Sequence, residues 1–589
     1  MSAEPSASGL SVVAEPAGSS RRWRSILGGG VIVLAALAAY HNSFQGPFIF
    51  DDLDSILDNQ TIRHVWPIGD ALVPPRQSGV TGRPVVNLSL AVNYAFGGTR
   101  VWGYHVLNLV IHVLAGLTFF GIVRRTLLWP RLRERFGAEA SKLALATAVL
   151  WTVHPLQTES VTYVIQRCES MMGLFYLLTL YYFIRGASSE RARPWFGLSV
   201  AACALGTACK EVMLSAPLMV LLYDRTFVSG SFRVAWQQHG RLLVALGATW
   251  VLLGSLSASG GSLDNVSRNP HIRLGRGEYL LTEPGVILDY LRLCVWPHPL
   301  CFDYNGLAAR TWSSILPPAL VVGTLLTATV WALGVNAVWG FVGAWFFLIL
   351  APTSSFFRLD SPMYEHRMYL PLAAVVTMAV VGLFLLQRQL FSRQQGLVLS
   401  CVAGTSVAIL FGYLTIQRNR DYSSEVSIWQ DTVDKRPNSA RAHFNLGTAL
   451  EQAGRVQEAI EHYEQALRIK PDFADAHSNL GVALAQQGRL QEAIEHWEES
   501  LRINPDSADA HFNLGLALAR TGRVQEAIEH WEQTLRIKPN YPEAHYNLGL
   551  ALEKLGRTQE AITHYEQALR IKPDFVQAQN ALARARAAQ

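Results

Sequence analysis

Prolines recur at Pro437, Pro471, Pro505, Pro539 and Pro573, a spacing of 34 residues held without exception to the end of the chain. Asn-Leu-Gly recurs in the same register at Asn445, Asn479, Asn513 and Asn547. A proline inside a helix removes a backbone donor and clashes with the preceding turn, so each period is forced to break at the same place. A unit of this length holds two short helices that cannot bury their apolar faces alone, and stacking on the next copy is the way out. Few chains are so narrowly limited in what they can fold into.

A period of 34 is that of tetratricopeptide repeats. Leu446, Gly447, Gly454, Ala459, Tyr463, Ala466 and Pro471 supply the packing, small and terminating positions of the first copy. An aromatic recurs at Trp429, Tyr463, Trp497, Trp531 and Tyr565, so a degenerate half repeat within a linker, 418–436, precedes four full repeats at 437–572 and a capping helix at 573–589. Such arrays present a concave groove. Asn445, Asn479, Asn513 and Asn547 fall on its inner face, and an Asn amide can donate to and accept from a peptide backbone at once. The ladder is therefore expected to clamp an extended polypeptide, with repeat stabilisation as the competing reading. His443, His477, His511 and His545, with His462, His496, His530 and His564, are attributed to duplication in register rather than to metal.

The rest of the chain reads differently. Over the whole chain half of the residues are apolar and only 16% are charged, well under the roughly 25% usual for globular proteins, and the long apolar runs fall before the repeats. Six scattered cysteines include no C-x-x-C pair, which points away from a disulfide framework or a zinc site. Residues 1–25 are expected to be a disordered cytoplasmic tail, and residues 26–417 a multispan membrane domain. A span needs about 20 mostly apolar residues. On that basis 11 spans are placed near 26–42, 101–122, 143–157, 169–185, 195–209, 212–228, 241–259, 314–335, 339–355, 369–387 and 397–417. Residues 284–300, bounded by prolines and containing Asp289 and Arg292, are read as re-entrant or interfacial. With a cytoplasmic start the inside segments hold 17 Lys and Arg against four acids, which sets the orientation. The large loops 43–100 and 260–313 and the repeats then face outward. The net charge of +5 is explained by this asymmetry and not by nucleic acid. The fold class expected is all-α, a polytopic helix bundle followed by an α-solenoid.

Ionisable groups at a membrane are costly and mark function by default. Five clusters stand out on the outer side. Asp51 and Asp52 follow the first span, expected to be open to the site rather than packed, where one carboxylate can accept a proton while the other orients the acceptor or holds a cation. A solvated helix-capping turn is the plain alternative. His105, Asn108 and His112 share one helical face. His154 and Glu159 lead into Tyr163, Gln166, Arg167 and Glu169, with Glu159, Tyr163 and Gln166 expected on one face. Lys210 and Glu211 sit between two spans and are expected to neutralise one another. Glu365, His366 and Arg367 open a late span.

The Phe-x-x-Asp-Asp after the first span, Arg83-Pro84, Asn93-Tyr94, the His-Asn-His face, His154-Pro155-x-x-Thr158-Glu159, Arg167-x-Glu169 and the Glu365-x-Arg367-x-Tyr369-Leu370-Pro371 run resemble the multispan GT-C glycosyltransferases. Combined with the repeats, they are similar to the transmembrane and tetratricopeptide repeat-containing (TMTC-like) relatives of protein O-mannosyltransferases. That resemblance implies an inverting transferase that moves mannose or another hexose from a polyprenyl-phosphate donor to a hydroxyl, Ser or Thr of a polypeptide held by the repeats. It implies Asp51 or Asp52 as general base. Donor-phosphate and substrate contacts are sought among Arg83, His105, Asn108, His112, His154, Glu159, Arg167, Glu169, Lys210, Glu211, Glu365 and Arg367. The O-mannosyltransferase branch usually carries Asp-Glu where this chain has Asp51-Asp52, and two aspartates leave Mg²⁺ or Mn²⁺ open at these positions. Two other classes compete with the transferase. A membrane-anchored repeat scaffold without catalysis is the main alternative, and a transporter would place its ionisable groups near the midplane in repeated halves. The Ala- and Arg-rich composition favours a bacterial inner membrane with the repeats periplasmic.

Overall fold

A computed structural model describes residues 19–76, 78–260, 274–304, 308–356, 359 and 361–588. It divides into two compact units, Met1–Ile428 and Trp429–Gln589.

In the first unit, among the described residues, six helices are long and apolar enough to cross a membrane: Val101–Leu127, Phe232–Ala258, Trp312–Val335, Ala337–Ser355, Pro371–Leu390 and Arg393–Asp421. Ile26–Tyr40 and Ala140–Thr152 are shorter apolar helices. Arg167–Ala187, Ala192–Thr207 and Ala216–Tyr223 occupy the remaining expected spans. On Trp312–Val335 the apolar side chains point outward, with Leu320 and Trp331 each 69% exposed. Water does not tolerate such a surface, whereas lipid tails do. The chain is a multi-pass membrane protein.

Three expectations change in this unit. The helix expected from residue 26 begins at Ser19, so 19–25 are helical rather than disordered; extending an existing helix costs far less than nucleating one. The rest of the expected tail, 1–18, and parts of the loop at 260–313 lie outside the described residues. Residues 284–300, expected to be re-entrant or interfacial, are mostly helical. Most of them belong to one helix, Arg276–Val295, that passes through Pro284, with Asp289 and Arg292 3.7 Å apart on its surface. The expected linker from residue 418 is packed. Arg418, Asn419 and Tyr422 are 4%, 3% and 2% exposed, and Arg418 reaches Asp421 at 3.0 Å.

The second unit stacks helix pairs in strict register: Ala440–Gln452 with Val456–Ile469, Ala474–Gln486 with Leu490–Ile503, Ala508–Arg520 with Val524–Ile537, and Pro542–Lys554 with Thr558–Ile571. Val576–Ala587 closes the array. Gly481 shows why the repeat demands glycine, because a Cβ there would lie 2.7 Å from the Trp497 ring. Gly488, at φ +77°, makes the turn between the helices.

Candidate functional site

The loop after the first apolar helix folds back as a tight turn, Ile49 to Asp52. Phe50 takes φ 46°, the one non-glycine residue with positive φ among the described residues. A bulky side chain pays for that conformation, so neighbouring contacts must impose it. Asp52 supplies two of them. Its Oδ2 accepts from Ile49 N at 3.1 Å and its Oδ1 from Ile165 N at 2.7 Å, with the residue fully buried. Burial lifts the Asp52 carboxyl well above its usual range, although both backbone donors and Arg167 pull the other way. The expected open pair is therefore corrected: Asp52 is a buried brace, and the half-buried Asp51 is the more accessible of the two. Asp51 is fixed through its own N–H, which donates to the Tyr163 hydroxyl at 2.9 Å.

Gly79 lies across this turn. A Cβ there would fall 2.9 Å from Ser55 Oγ, 3.0 Å from Ile165 Cγ1 and 3.6 Å from Asp51 Cβ, so glycine alone permits the approach. The Gly79 carbonyl accepts from Arg83 Nη1 at 2.8 Å, which brings the guanidinium to the Asp51 side of the loop. Burial alone would lower the pKa of Arg83, but Cys168, Glu211, Glu169 and Asp51 outweigh it and raise the value further. Arg83, Lys210 and Glu211 line a small open cleft, with Thr81, Thr207 and Ser257 among its polar walls.

Lys210 does not neutralise Glu211. Its Nζ meets Glu169 Oε2 at 2.5 Å, with both side chains buried. The physical reason is local: Lys210 is extended, at φ −162° and ψ 150°, and consecutive side chains of an extended segment point to opposite sides. Of the four cations sought for a phosphate, Arg83 and Lys210 reach the cleft. Arg167 is consumed elsewhere, donating to Asn108 Oδ1 at 2.6 Å and Tyr104 O at 3.0 Å. Arg367 is buried against Glu283 at 3.3 Å and Ser354 Oγ at 2.6 Å.

The polar helical face is also internal. His105 Nε2 lies 2.9 Å from Gly46 O, Asn108 Nδ2 donates to Val161 O at 3.2 Å, and His112 lies 2.9 Å from the Tyr369 hydroxyl and 3.0 Å from Thr152 O. His154 Nε2 lies 3.0 Å from Cys294 O. These residues fasten the site's walls to one another. The expected shared face of Glu159, Tyr163 and Gln166 does not form. The helix is only Thr158–Thr162, and Tyr163 is extended, at φ −77° and ψ 115°. That break turns the Tyr163 hydroxyl toward Asp51.

A second buried cluster lies behind Tyr163. Glu159 Oε2 accepts from His366 N and its Oε1 lies 2.8 Å from His366 Nδ1. Glu365 Oε1 accepts from the Tyr304 hydroxyl at 2.9 Å, and Arg418 Nη2 stands 3.7 Å from Oε2. Burial raises both carboxyls to about 7, against the pull of Arg418 on each. Tyr304, Arg418, Glu425 and Gly79 escaped sequence reasoning. No periodicity links them to the acidic motif, and only the fold brings them near.

Asp52 is poorly placed to hold a divalent cation, being fully buried with each oxygen already accepting from a backbone N–H; no cluster of three or more His, Cys, Asp or Glu side chains suited to a metal occurs among the described residues.

In the repeats, Asn479 Nδ2 stands 3.5 Å from Thr448 Oγ1, while the buried Asn445 Nδ2 has no protein acceptor among the described residues; Asn513 and Asn547 hold the equivalent register positions. The two histidine sets, read separately in the sequence, meet as pairs. Nδ1 to Nδ1 distances are 3.0, 3.0, 2.9 and 3.0 Å for His443–His462, His477–His496, His511–His530 and His545–His564. In each pair the first ring's Nε2 faces a proline carbonyl, as His443 faces Pro437 O at 3.0 Å. A carbonyl only accepts, so that nitrogen carries the proton and its Nδ1 must accept from the partner.

Residues 84–254 match the family described as dolichyl-phosphate-mannose-protein mannosyltransferase, and tetratricopeptide models match 452–488, 478–542 and 542–575. The chain thus joins a membrane segment that matches a mannosyltransferase family over residues 84–254 to tetratricopeptide repeats. It is similar to Protein O-mannosyl-transferase F38B6.6 of Caenorhabditis elegans, 24% identical over 475 residues, covering 77% of this chain and 64% of that protein. Human Protein O-mannosyl-transferase TMTC4 is 26% identical over 502 residues, covering 75% and 66%. Across such relatives the chain spans between about half and two thirds of their length. Among solved structures, MamA matches 27% of this chain and 91% of its own at 27% identity and a TM-score of 0.25.

Proposed function

We propose that the chain is an inverting membrane glycosyltransferase. It moves mannose or another hexose from a polyprenyl-phosphate donor to a Ser or Thr hydroxyl of a polypeptide held by the repeats. The observation that carries this reading is a cleft lined by Arg83, Lys210 and Glu211, with the half-buried Asp51 across Gly79 from the loop that Arg83 ties down and close enough for its charge to act on that guanidinium. Asp51 takes the proton of the acceptor hydroxyl as its oxygen attacks the anomeric carbon on the face opposite the phosphate. The anomeric C–O bond breaks, its electron pair leaves on the phosphate oxygen, and Arg83 and Lys210 stabilise the growing charge. Glu169 holds Lys210 in place, and Glu211 lines the same cleft. Asn445, Asn479, Asn513 and Asn547 grip the acceptor backbone, which raises its local concentration.

The membrane carries 11 spans in this proposal, the six long helices and five shorter ones, and is a bacterial inner membrane with the repeats outside. Support comes from the mannosyltransferase match at 84–254, which includes Glu169, Lys210 and Glu211. The test is label transfer from a panel of polyprenyl-phosphate sugars to Ser/Thr peptides by the purified chain in lipid. Label on peptide is the expected result. No label from any donor, with polypeptide still bound by the repeats, would replace the transferase with a scaffold.

A further inference from the structure

The strained turn that carries Asp51 has a support far away in sequence. The Phe50 N–H donates to Glu425 Oε1 at 2.8 Å, across 375 positions. Glu425 is the first residue of helix Glu425–Lys435. An acid in a helix's first turn ordinarily serves the helix's own amide groups. Here one of its oxygens is committed to another segment. Phe50 adopts its left-handed conformation with three constraints around it: the Glu425 carboxylate on its N–H, the Asp52 bonds on either side, and the Phe302 ring edge-on at 6.2 Å and 84°. The Phe302 ring in turn packs edge-on against Tyr163 at 5.4 Å and Tyr422 at 5.9 Å. Tyr163 is the acceptor for the Asp51 N–H. The direction of the Asp51 side chain follows from the φ of the residue before it, so whatever holds Phe50 aims Asp51.

We propose that Glu425 is a positioning residue for Asp51: its carboxylate holds Phe50 in the left-handed conformation that points the base at the acceptor. The proposal rests on Asp51 being that base. A carboxylate bond to a backbone N–H is a charge-assisted one, and strain of this kind persists only where surroundings over-determine it. Glu425 touches neither donor nor acceptor, so its loss moves kcat and leaves donor binding alone. The conservative variants have distinct fates. Glu425→Gln keeps an acceptor oxygen without the charge, whereas the shortened acid of Glu425→Asp does not reach.

The experiment uses the full chain in lipid nanodiscs and compares wild type with Glu425→Ala, Glu425→Gln and Phe50→Asn, asparagine being a residue that tolerates positive φ. Amide exchange across residues 46–58 and peptide-mannosylation kinetics are both read. The expected result is a tenfold or greater fall in kcat for Glu425→Ala with unchanged KM for polyprenyl-phosphate mannose. Exchange should quicken at 50–52 alone, with most activity kept in Glu425→Gln. Adding Phe50→Asn to Glu425→Ala should recover part of the lost kcat. Exchange at 50–52 and kcat both unchanged in Glu425→Ala would overturn the proposal, as would a KM effect without a kcat effect. Failure of the transferase reading shows itself separately, as no transfer by wild type, and the exchange at 50–52 then decides whether Glu425 holds the turn.

Discussion

Asp52 and Ile165, 113 positions apart, are joined by a 2.7 Å hydrogen bond from the Ile165 N–H to Oδ1. Together with the bond from Asp51 N to Tyr163 it clasps the acidic turn to the segment 163–165. The two adjacent aspartates therefore have separate jobs. Asp52→Asn places an amide NH₂ where one of two backbone donors points, leaving that donor unsatisfied in a buried site. Such a loss costs about 1–3 kcal/mol. A lowered melting temperature in detergent is expected for Asp52→Asn and an unchanged one for Asp51→Asn; equal melting of both would return Asp52 to the open pair.

The four cations that sequence groups as phosphate ligands separate by what they touch. Arg83→Ala removes a cation that lines the cleft, so a several-fold or larger rise in KM for the lipid-linked donor is expected with little change in melting. Arg367→Ala leaves Glu283 as a buried charge without its partner, a change that costs about 3–5 kcal/mol. Reduced yield of folded protein, rather than altered KM, is the outcome for Arg367→Ala. Measured donor KM for the two variants, beside their melting curves, distinguishes these effects.

The histidine pairs make the repeats acid-sensitive. Between two Nδ1 atoms 3.0 Å apart there is room for one proton, so a second protonation sets N–H against N–H. Burial lowers all eight imidazoles below their ordinary range, and in the second set the partner imidazole adds to the shift. The charges around them are mixed. Glu458 and Glu461 face His462, Glu492, Glu495 and Arg489 face His496, and Glu526, Glu529 and Arg523 face His530. Glu560 and Arg557 face His564, Glu499 and Arg502 face His477, Asp506 faces His511, and Arg570 faces His545. With folded pKa values below the unfolded one of about 6.5, the unfolded chain binds more protons, and stability falls as pH drops from there. Amide protection in helices 440–571, taken relative to the intrinsic exchange rate at each pH, should fall from pH 7.5 to 5. Replacing His462, His496, His530 and His564 with Gln should flatten that dependence; an unaltered slope would assign it to other groups.

Where the chain is cut matters more than its length. Ending it at Arg420 removes Asp421, Tyr422 and Glu425, which pair with Arg418, pack on Phe302 and hold Phe50. Ending it at Lys435 keeps all three. Transfer to a small hydroxyl acceptor is expected to survive the second cut and to fall at least tenfold with the first, while both lose the advantage of a long polypeptide acceptor. Equal activity of the two shortened chains toward the small acceptor would contradict the packing argument.

The repeats were legible in the sequence because duplication prints the same packing demand at fixed intervals. Gly481 against Trp497 in one copy is Gly515 against Trp531 in the next. The apolar helices were legible too, since hydropathy reports the solvent a segment meets. The acidic motif was found but its division of labour was not. Asp51 and Asp52 are chemically identical in sequence, and only the approach of Ile165 buries one. Arg167 and Arg83 likewise read as equal cations until Asn108 and the Tyr104 carbonyl claim the first. Helical-face arithmetic succeeded for His105, Asn108 and His112, which lie on one continuous helix. It failed at Tyr163, where the helix ends after Thr162.

The central claim is that Asp51 is the base of a sugar transfer. Its most direct test is the rate at which the purified chain in lipid moves radiolabelled mannose from polyprenyl-phosphate mannose to a Ser/Thr peptide, wild type against Asp51→Asn. Loss of a general base costs about 10²–10⁴-fold. Transfer by wild type and a loss of that size in a variant with unchanged melting is the predicted result. A well-folded Asp51→Asn chain that transfers at the wild-type rate would contradict it.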